Sequence, residues 1–211
     1  MVSGICKKAR NFVASNSDKV EITPGSSLNG VSDQITVEAL VKFTSDDSFK
    51  KGAGIVTKNY GPTANSYALR LSSEDGKQKQ MVFEVSDGIT PVFITSDTEL
   101  QKDKWYYVVG RYDKSDNIYV GVFDSLGTGE LKKIDLTATP TTFNNIANTS
   151  EKLYLGYNKL CDGNPVCDNP KGYLNGIVDE VRISNTAKAG DPSEVDTDLY
   201  KSFQLFRMRM M

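Results

Sequence analysis

The sequence predicts an all-β protein in which two antiparallel sheets pack face to face as a sandwich. Three observations predict it. Short runs of strictly alternating apolar and polar residues recur along the chain, the mark of half-buried strands. Turn signals fall between them at intervals of roughly 8–12 residues. No glycine-rich phosphate loop opens a helix, and no helical run separates one strand from the next, so the rhythm is not that of a parallel βαβ sheet.

The elements follow in order. Phe12 to Ala14 and Lys19 to Ile22 are short strand candidates. In Ile35 to Phe43 the residues Ile35, Val37, Ala39, Val41 and Phe43 share one face. Gly54 to Lys58 is a short run, and Ser66 to Leu71 turns Tyr67, Leu69 and Leu71 inward and Ala68 and Arg70 outward. Met81, Phe83 and Val85 alternate with Val82, Glu84 and Ser86, and Thr90 to Ser96 follows the Asp87-Gly88 turn. The polar patch Lys77 to Gln80 reads as one end of a hairpin. Trp105 to Tyr112 and Ile118 to Phe123 flank a short polar loop, a hairpin signature. Glu130 to Leu136, Lys152 to Tyr157 and Tyr173 to Ile183 complete the set, the last with Tyr173, Ile177, Asp179, Val181 and Ile183 on one face. Asn175-Gly176 inside it suggests a bulge or a close backbone approach. Near the C-terminus Val195, Leu199, Phe203, Phe206 and Met210 recur at helical spacing, although Phe206, Met208 and Met210 also alternate. The expected organisation is one domain over 1–211, with its core at about 10–190 and a C-terminal extension at 191–211, helix or extra strand.

Composition excludes several functions. The 25 lysines and arginines nearly balance the 27 aspartates and glutamates, which gives no basis for binding nucleic acid. No apolar run approaches the roughly 20 residues of a membrane span, so no membrane insertion is expected. Histidine is absent, which removes Ser-His-Asp and Cys-His catalysis and histidine metal ligands. The first residues lack the apolar stretch of a secretory signal. That leaves three readings: a trimmed signal, a cytosolic protein, or another secretion route.

Cys161 and Cys167 stand six apart in a loop with Gly163, Pro165 and Pro170. The favoured reading is a small disulfide loop, which implies an oxidising compartment; the alternative is two free surface thiols. Cys6 is left over, free, paired with another chain, or incidental. Asn148-Thr149-Ser150 is a glycosylation sequon, meaningful only if the source secretes through a eukaryotic route.

The motifs QITVEALVKF, GIVTKNY, SYALRLS, MVFEVSDG, KWYYVVGRYD, NIYVGVFD, KLYLGYN and GYLNGIVDEVRIS, in that order, resemble the laminin-G-like or concanavalin-A-like jelly roll. They are close to the branch shared by pentraxins and bacterial lectin-like modules. The resemblance covers about residues 10–190 and speaks to fold more than to function. Leu40 departs from it, standing where the family usually shows tryptophan.

The resemblance implies a calcium site in the loop after Tyr157. Its matching positions are Asn158 and Asn65, and the loop itself adds Asp162 and Asp168. Calcium takes about 6–8 oxygen ligands, and the family's acidic cluster is replaced here by Asn158-Lys159-Leu160. A second calcium expectation concerns Asp179. A carboxylate on an apolar face must be paired, hydrogen-bonded or metal-bound. Jelly rolls of this kind suggest a metal clasp to the N-terminal region, where Asp18 lies; backbone N–H groups or an arginine are the alternative. A carbohydrate groove would use Tyr60, Tyr67, Arg70, Tyr106, Tyr157 and Asn158, as stacking faces and polar contacts. A glycosidase needs two carboxyls about 5–5.5 Å apart. Asp179-Glu180 point opposite ways on a strand, and Glu84 and Asp87 straddle a turn.

The sequence therefore predicts a non-catalytic recognition module. Its expected partner is a glycan or a surface or matrix polysaccharide, with calcium as the expected structural or loop-ordering ion. It is expected outside the cell or on a cell or virion surface. A protein-adhesion or structural domain is the second reading, and a glycosidase or lyase the third.

Overall fold

The computed structural model describes residues 9–59, 66–115, 117–125, 131–140, 145–162, 167 and 172–187; for 26, 27, 125 and 131–140 it describes the backbone alone. Within these residues, twelve strands form two six-stranded sheets whose neighbours all run antiparallel. The first sheet has the spatial order β1 (Arg10–Phe12), β12 (Gly176–Ser184), β3 (Gln34–Lys42), β8 (Trp105–Asp113), β9 (Asn117–Ser125) and β10 (Leu131–Pro140). The second has β2 (Val20–Ile22), β11 (Leu153–Leu155), β4 (Gly54–Lys58), β5 (Tyr67–Leu71), β6 (Met81–Ser86) and β7 (Pro91–Thr95). A short helix, α1 (Ser26–Asn29), connects β2 to β3.

The core lies between the sheets. Ile35, Val37, Ala39 and Val41 of β3 meet Tyr67, Leu69 and Leu71 of β5 and Met81, Phe83 and Val85 of β6 in one buried cluster. Each such aliphatic or aromatic side chain contributes about 1.5–3 kcal/mol by leaving water. Gly110 lets the sheets approach: a Cβ there would stand 2.0 Å from Cδ2 of Phe83. Residues 191–211, with the helical spacing, lie outside the described residues, as does Cys6.

Three expectations are corrected. The first strand is Arg10–Phe12, because the chain turns at Ala14–Asn16 into a 3-10 turn, where Asp18 Oδ2 accepts from Val13 N–H at 3.1 Å. β11 stops at Leu155, because Gly156 takes φ +74° with the Phe12 ring where a Cβ would be. The third concerns β12. Its register against β3 shifts between Asp179 and Arg182, and Glu180 takes φ +46°. Val178 pairs with Val41 and enters the core, whereas Ile177 pairs with Lys42 and Asp179 with Leu40, on the outward face. After the bulge, Ile183 pairs with Val37 and packs against the core. One extra residue thus flips the alternation, and Asp179 is not on the apolar face that its neighbours suggested.

Candidate functional site

The segment from Gly156 to Tyr173 leaves the second sheet after β11 and folds back against the start of β4. Gly54 N–H and Asn158 N–H both donate to Gly172 O, at 3.1 and 2.8 Å. Tyr157 and Tyr173 form an antiparallel bridge. Thr57 Oγ1 donates to Tyr157 O at 2.7 Å. Cys161 and Cys167 are joined by a disulfide, seated on Gly52, where any Cβ would stand 2.7–2.8 Å from both sulfurs. Gly52 also has φ +72°, so both space and backbone call for glycine there.

Asn158 is wholly committed to this architecture. Its Nδ2 donates to Gly52 O at 2.7 Å, its Oδ1 accepts from Leu160 N–H at 3.2 Å, and the residue is buried. Its predicted partner Asn65 lies outside the described residues. The neighbouring Ser66 donates its N–H to Lys58 O, at the other end of β4 from Gly54.

A cluster of aromatic rings stands beside the loop. Tyr154 meets Tyr157 edge to face with centroids 5.3 Å apart, and Tyr157 lies 4.5 Å from Tyr173. Lys19 Nζ sits 4.9 Å from the Tyr157 ring and 5.8 Å from that of Tyr154. Glu21 bonds Lys19 at 2.9 Å and Lys152 at 2.7 Å. The hydrogen bonds from Lys152 and Lys19 lower the Glu21 carboxyl to about 2, and the bond to Glu21 raises the Lys19 ammonium. Burial pushes the Tyr157 phenol up, and its hydrogen bond to the exposed Asp162 carboxylate adds to the rise. Three rings, two ammonium groups and two carboxylates thus meet at one rim of the second sheet.

The other predicted site residues are dispersed. Tyr67 points into the core, its hydroxyl buried without a partner among the described residues, and burial raises its phenol. Arg70 faces outward but is buried against Glu84 at 2.8 Å, so it is a paired charge and not a groove contact. Tyr106 is likewise in the core, its hydroxyl accepting from Gln101 N–H. Tyr60 and Asp168 lie outside the described residues. Asp179 Oδ1 accepts from Glu180 N–H at 3.0 Å and so ties down the bulge. Asp18 holds the Val13 turn, beyond the Gly176 end of the β1–β12 pair and away from Asp179. The two carboxylates do not converge on a clasp, and the described residues hold no group of three His, Cys, Asp or Glu side chains placed to bind a metal. Of the implied calcium ligands, Asn158, Asp18 and Asp179 accept or donate hydrogen bonds within the chain, and Asn65 and Asp168 lie outside the described residues.

Lys19, Glu21, Lys152, Tyr154 and Tyr173 were not singled out in the sequence. The available signal was Tyr154, which alternates against Leu153 and Leu155 and must face away from the core. The assembly of the rest depends on β2 pairing with β11 (Tyr154 with Glu21) and on the Tyr157–Tyr173 bridge, contacts between distant parts of the chain.

Two face-to-face antiparallel sheets with a decorated loop at the rim define a concanavalin-A-like sandwich. The chain belongs to the laminin-G-type family described as the concanavalin A-like lectin/glucanases superfamily, whose profile matches residues 14–192. No curated protein sequence matches it. Solved structures share the fold. A Bacteroides ovatus protein provisionally assigned as carbohydrate binding is 17% identical with TM-score 0.54, covering 86% of this chain and 44% of its own. Botulinum neurotoxin type C, whose cell entry depends on interaction with two ganglioside molecules, is 14% identical with TM-score 0.56, covering 88% and 40%. The heptameric SAP-like pentraxin of Limulus polyphemus is 13% identical with TM-score 0.52, covering 89% and 80%. The chain thus spans less than half the length of the first two.

Proposed function

We propose that this chain is a non-catalytic, carbohydrate-recognition module whose contact surface is the rim of Lys19, Glu21, Lys152, Asp162 and the half-buried Tyr173, backed by the buried rings of Tyr154 and Tyr157. The observation that carries the reading is the tyrosine cluster flanked by charged groups on a disulfide-pinned loop. The half-buried Tyr173 ring offers stacking to sugar C–H surfaces, and ammonium and carboxylate groups offer directed bonds to hydroxyls, the usual mix of apolar platform and few polar anchors. A rigid scaffold holds such rims in place. The provisional carbohydrate-binding assignment of one structurally similar protein and the ganglioside interaction of another support the same class of ligand. The disulfide fits an extracellular or surface location.

The non-catalytic reading is supported by the buried carboxylates of the described residues, each of which is engaged elsewhere. Glu84 is paired with Arg70, Glu38 accepts from the Tyr107 hydroxyl, Asp113 accepts from Gln34 and Ser115, and Asp179 accepts from Glu180 N–H at the bulge. Calcium enters as one arm of the test. A glycan array probed with and without a chelator is expected to show binding that Tyr173→Ala and Lys152→Ala weaken at unchanged melting temperature. No binding in either condition would remove the reading.

A protein-adhesion role is the second reading, favoured by Ile89, in the turn before β7, and Phe93, on the outer strand β7, which are 79% and 50% exposed. An apolar edge of this kind is a template for pairing with another chain. Its mark would be a protein ligand lost on Phe93→Lys, with no glycan bound.

A further inference from the structure

The charges that meet at the tyrosine rim cancel. Lys19 and Lys152 both bond Glu21, at 2.9 and 2.7 Å, and Lys159 bonds Glu151 at 3.2 Å. Asp162 is exposed and accepts from the Tyr157 hydroxyl. Three ammonium groups, of Lys19, Lys152 and Lys159, thus stand with three carboxylates, of Glu21, Glu151 and Asp162. The loop keeps the same balance in its sequence, where 156–173 holds Lys159 and Lys171 against Asp162 and Asp168.

That balance bears on which sugars the rim can take. A sulfate or carboxylate is held where positive charge is in surplus. Here it would meet ammonium groups already neutralised, and would have to displace Glu21 or Glu151 from them. The exposed Asp162 carboxylate would also repel it, since like charges brought together across an interface oppose binding. A neutral sugar meets neither obstacle. Each sugar hydroxyl both donates and accepts, and an ammonium carries three N–H donors, so a bond to Glu21 leaves others for a ligand. Glu21 stands between Lys19 and Lys152. Donor, acceptor and donor therefore follow one another, a pattern that neighbouring hydroxyls of one pyranose ring can satisfy while the ring stacks on the half-buried Tyr173.

We propose, resting on the reading of this rim as a glycan-binding surface, that its ligands are uncharged oligosaccharides presenting neighbouring hydroxyls. Acidic glycans, whether sulfated, sialylated or uronic, are disfavoured. Glu21 sets this selectivity, because it takes up the charge of both lysines that an acidic group would otherwise find.

The test is an array of matched pairs, each a neutral oligosaccharide beside the same one bearing a sulfate, a sialic acid or a uronic acid, probed with the full chain. The neutral members are expected to bind more tightly than their acidic partners. The best of them, titrated calorimetrically, should hold its affinity within about twofold as salt rises tenfold from about 0.05 M. Glu21→Gln removes one negative charge and leaves a surplus ammonium. It should raise affinity for the acidic members by about two- to fivefold and make that affinity fall with salt. The array of the unmodified protein needs no variant to fold. Tighter binding of acidic members by that protein, falling steeply with salt, would overturn the inference while leaving the rim a recognition surface. So would unchanged acidic-glycan affinity in a Glu21→Gln variant that melts as a folded protein. Binding of neither member of any pair would remove the recognition reading itself, and this inference with it.

Discussion

Arg70 and Glu84 provide the sharpest stability test. They are diagonal neighbours on the outward face of the second sheet, since Ala68 pairs with Glu84 and Arg70 with Val82. Glu84 Oε2 accepts from Arg70 Nη2 at 2.8 Å and from Nε at 3.3 Å, and Nη1 donates to Leu71 O at 3.1 Å. The side chains are only 9% and 5% exposed. Removing one partner of a buried pair leaves the other charge without compensation, at a cost of about 3–5 kcal/mol, whereas replacing both by apolar groups of similar volume is near neutral. Glu84→Ala is therefore expected to destabilise by about 3 kcal/mol or more. With a urea slope of about 1–3 kcal/mol per molar, the unfolding midpoint should fall by roughly 1–3 M. Arg70→Met combined with Glu84→Leu should return to within about 1 kcal/mol of the parent. Urea unfolding followed by far-ultraviolet dichroism measures both. A Glu84→Ala loss below about 1 kcal/mol, or a double variant as weak as the single, would refute the claim that the pair acts as one buried unit. The double variant should also keep any glycan affinity, because Arg70 is committed to Glu84.

Other outcomes follow from particular contacts. Gly110→Ala drives a methyl into the Phe83 ring and should cost about 1–3 kcal/mol or more by overpacking; Phe83→Leu in the same chain should recover part of it, as thermal unfolding would show. Asp179→Ala removes the acceptor for Glu180 N–H and should lower stability by about 1 kcal/mol whether or not calcium is added; a chelator-sensitive melting temperature that the substitution abolishes would point to a metal instead. Glu21 has its carboxyl lowered to about 2 by Lys152 and Lys19, against an ordinary 4.5. The folded state favours its ionised form, so its contribution is present above pH 4.5 and disappears as pH falls towards 2. The stability difference between the parent and Glu21→Gln should shrink over that interval in acid titrations, and a difference constant down to pH 2 would contradict the network.

The strands and their inward faces were legible because alternation has a period of two and the core enforces it. Ile35 to Val41, Tyr67 to Leu71 and Met81 to Val85 all face as their pattern says. Reading failed where a backbone event interrupts the period. The bulge at Glu180 reversed the faces of β12, and Gly156 ended β11 early. The disulfide spacing marked the decorated loop, but Asn158 proved to be its internal strut, since its amide is spent on Gly52 and Leu160. The tyrosine rim depends on β2 and β11 pairing across more than a hundred residues, which no local pattern encodes. Arg70 looked available because it alternates outward; its burial against Glu84 follows from the register of β5 and β6.

The recognition account is tested most directly by titrating the isotope-labelled protein with an oligosaccharide found on the glycan array and following its amide and aromatic resonances. Saturable shifts centred on Lys19, Tyr154, Tyr157, Asp162 and Tyr173, absent in Tyr173→Ala, are the predicted result. Shifts centred on the β7 edge at Ile89 and Phe93, or on the outward face around Leu40 and Tyr107, would contradict it.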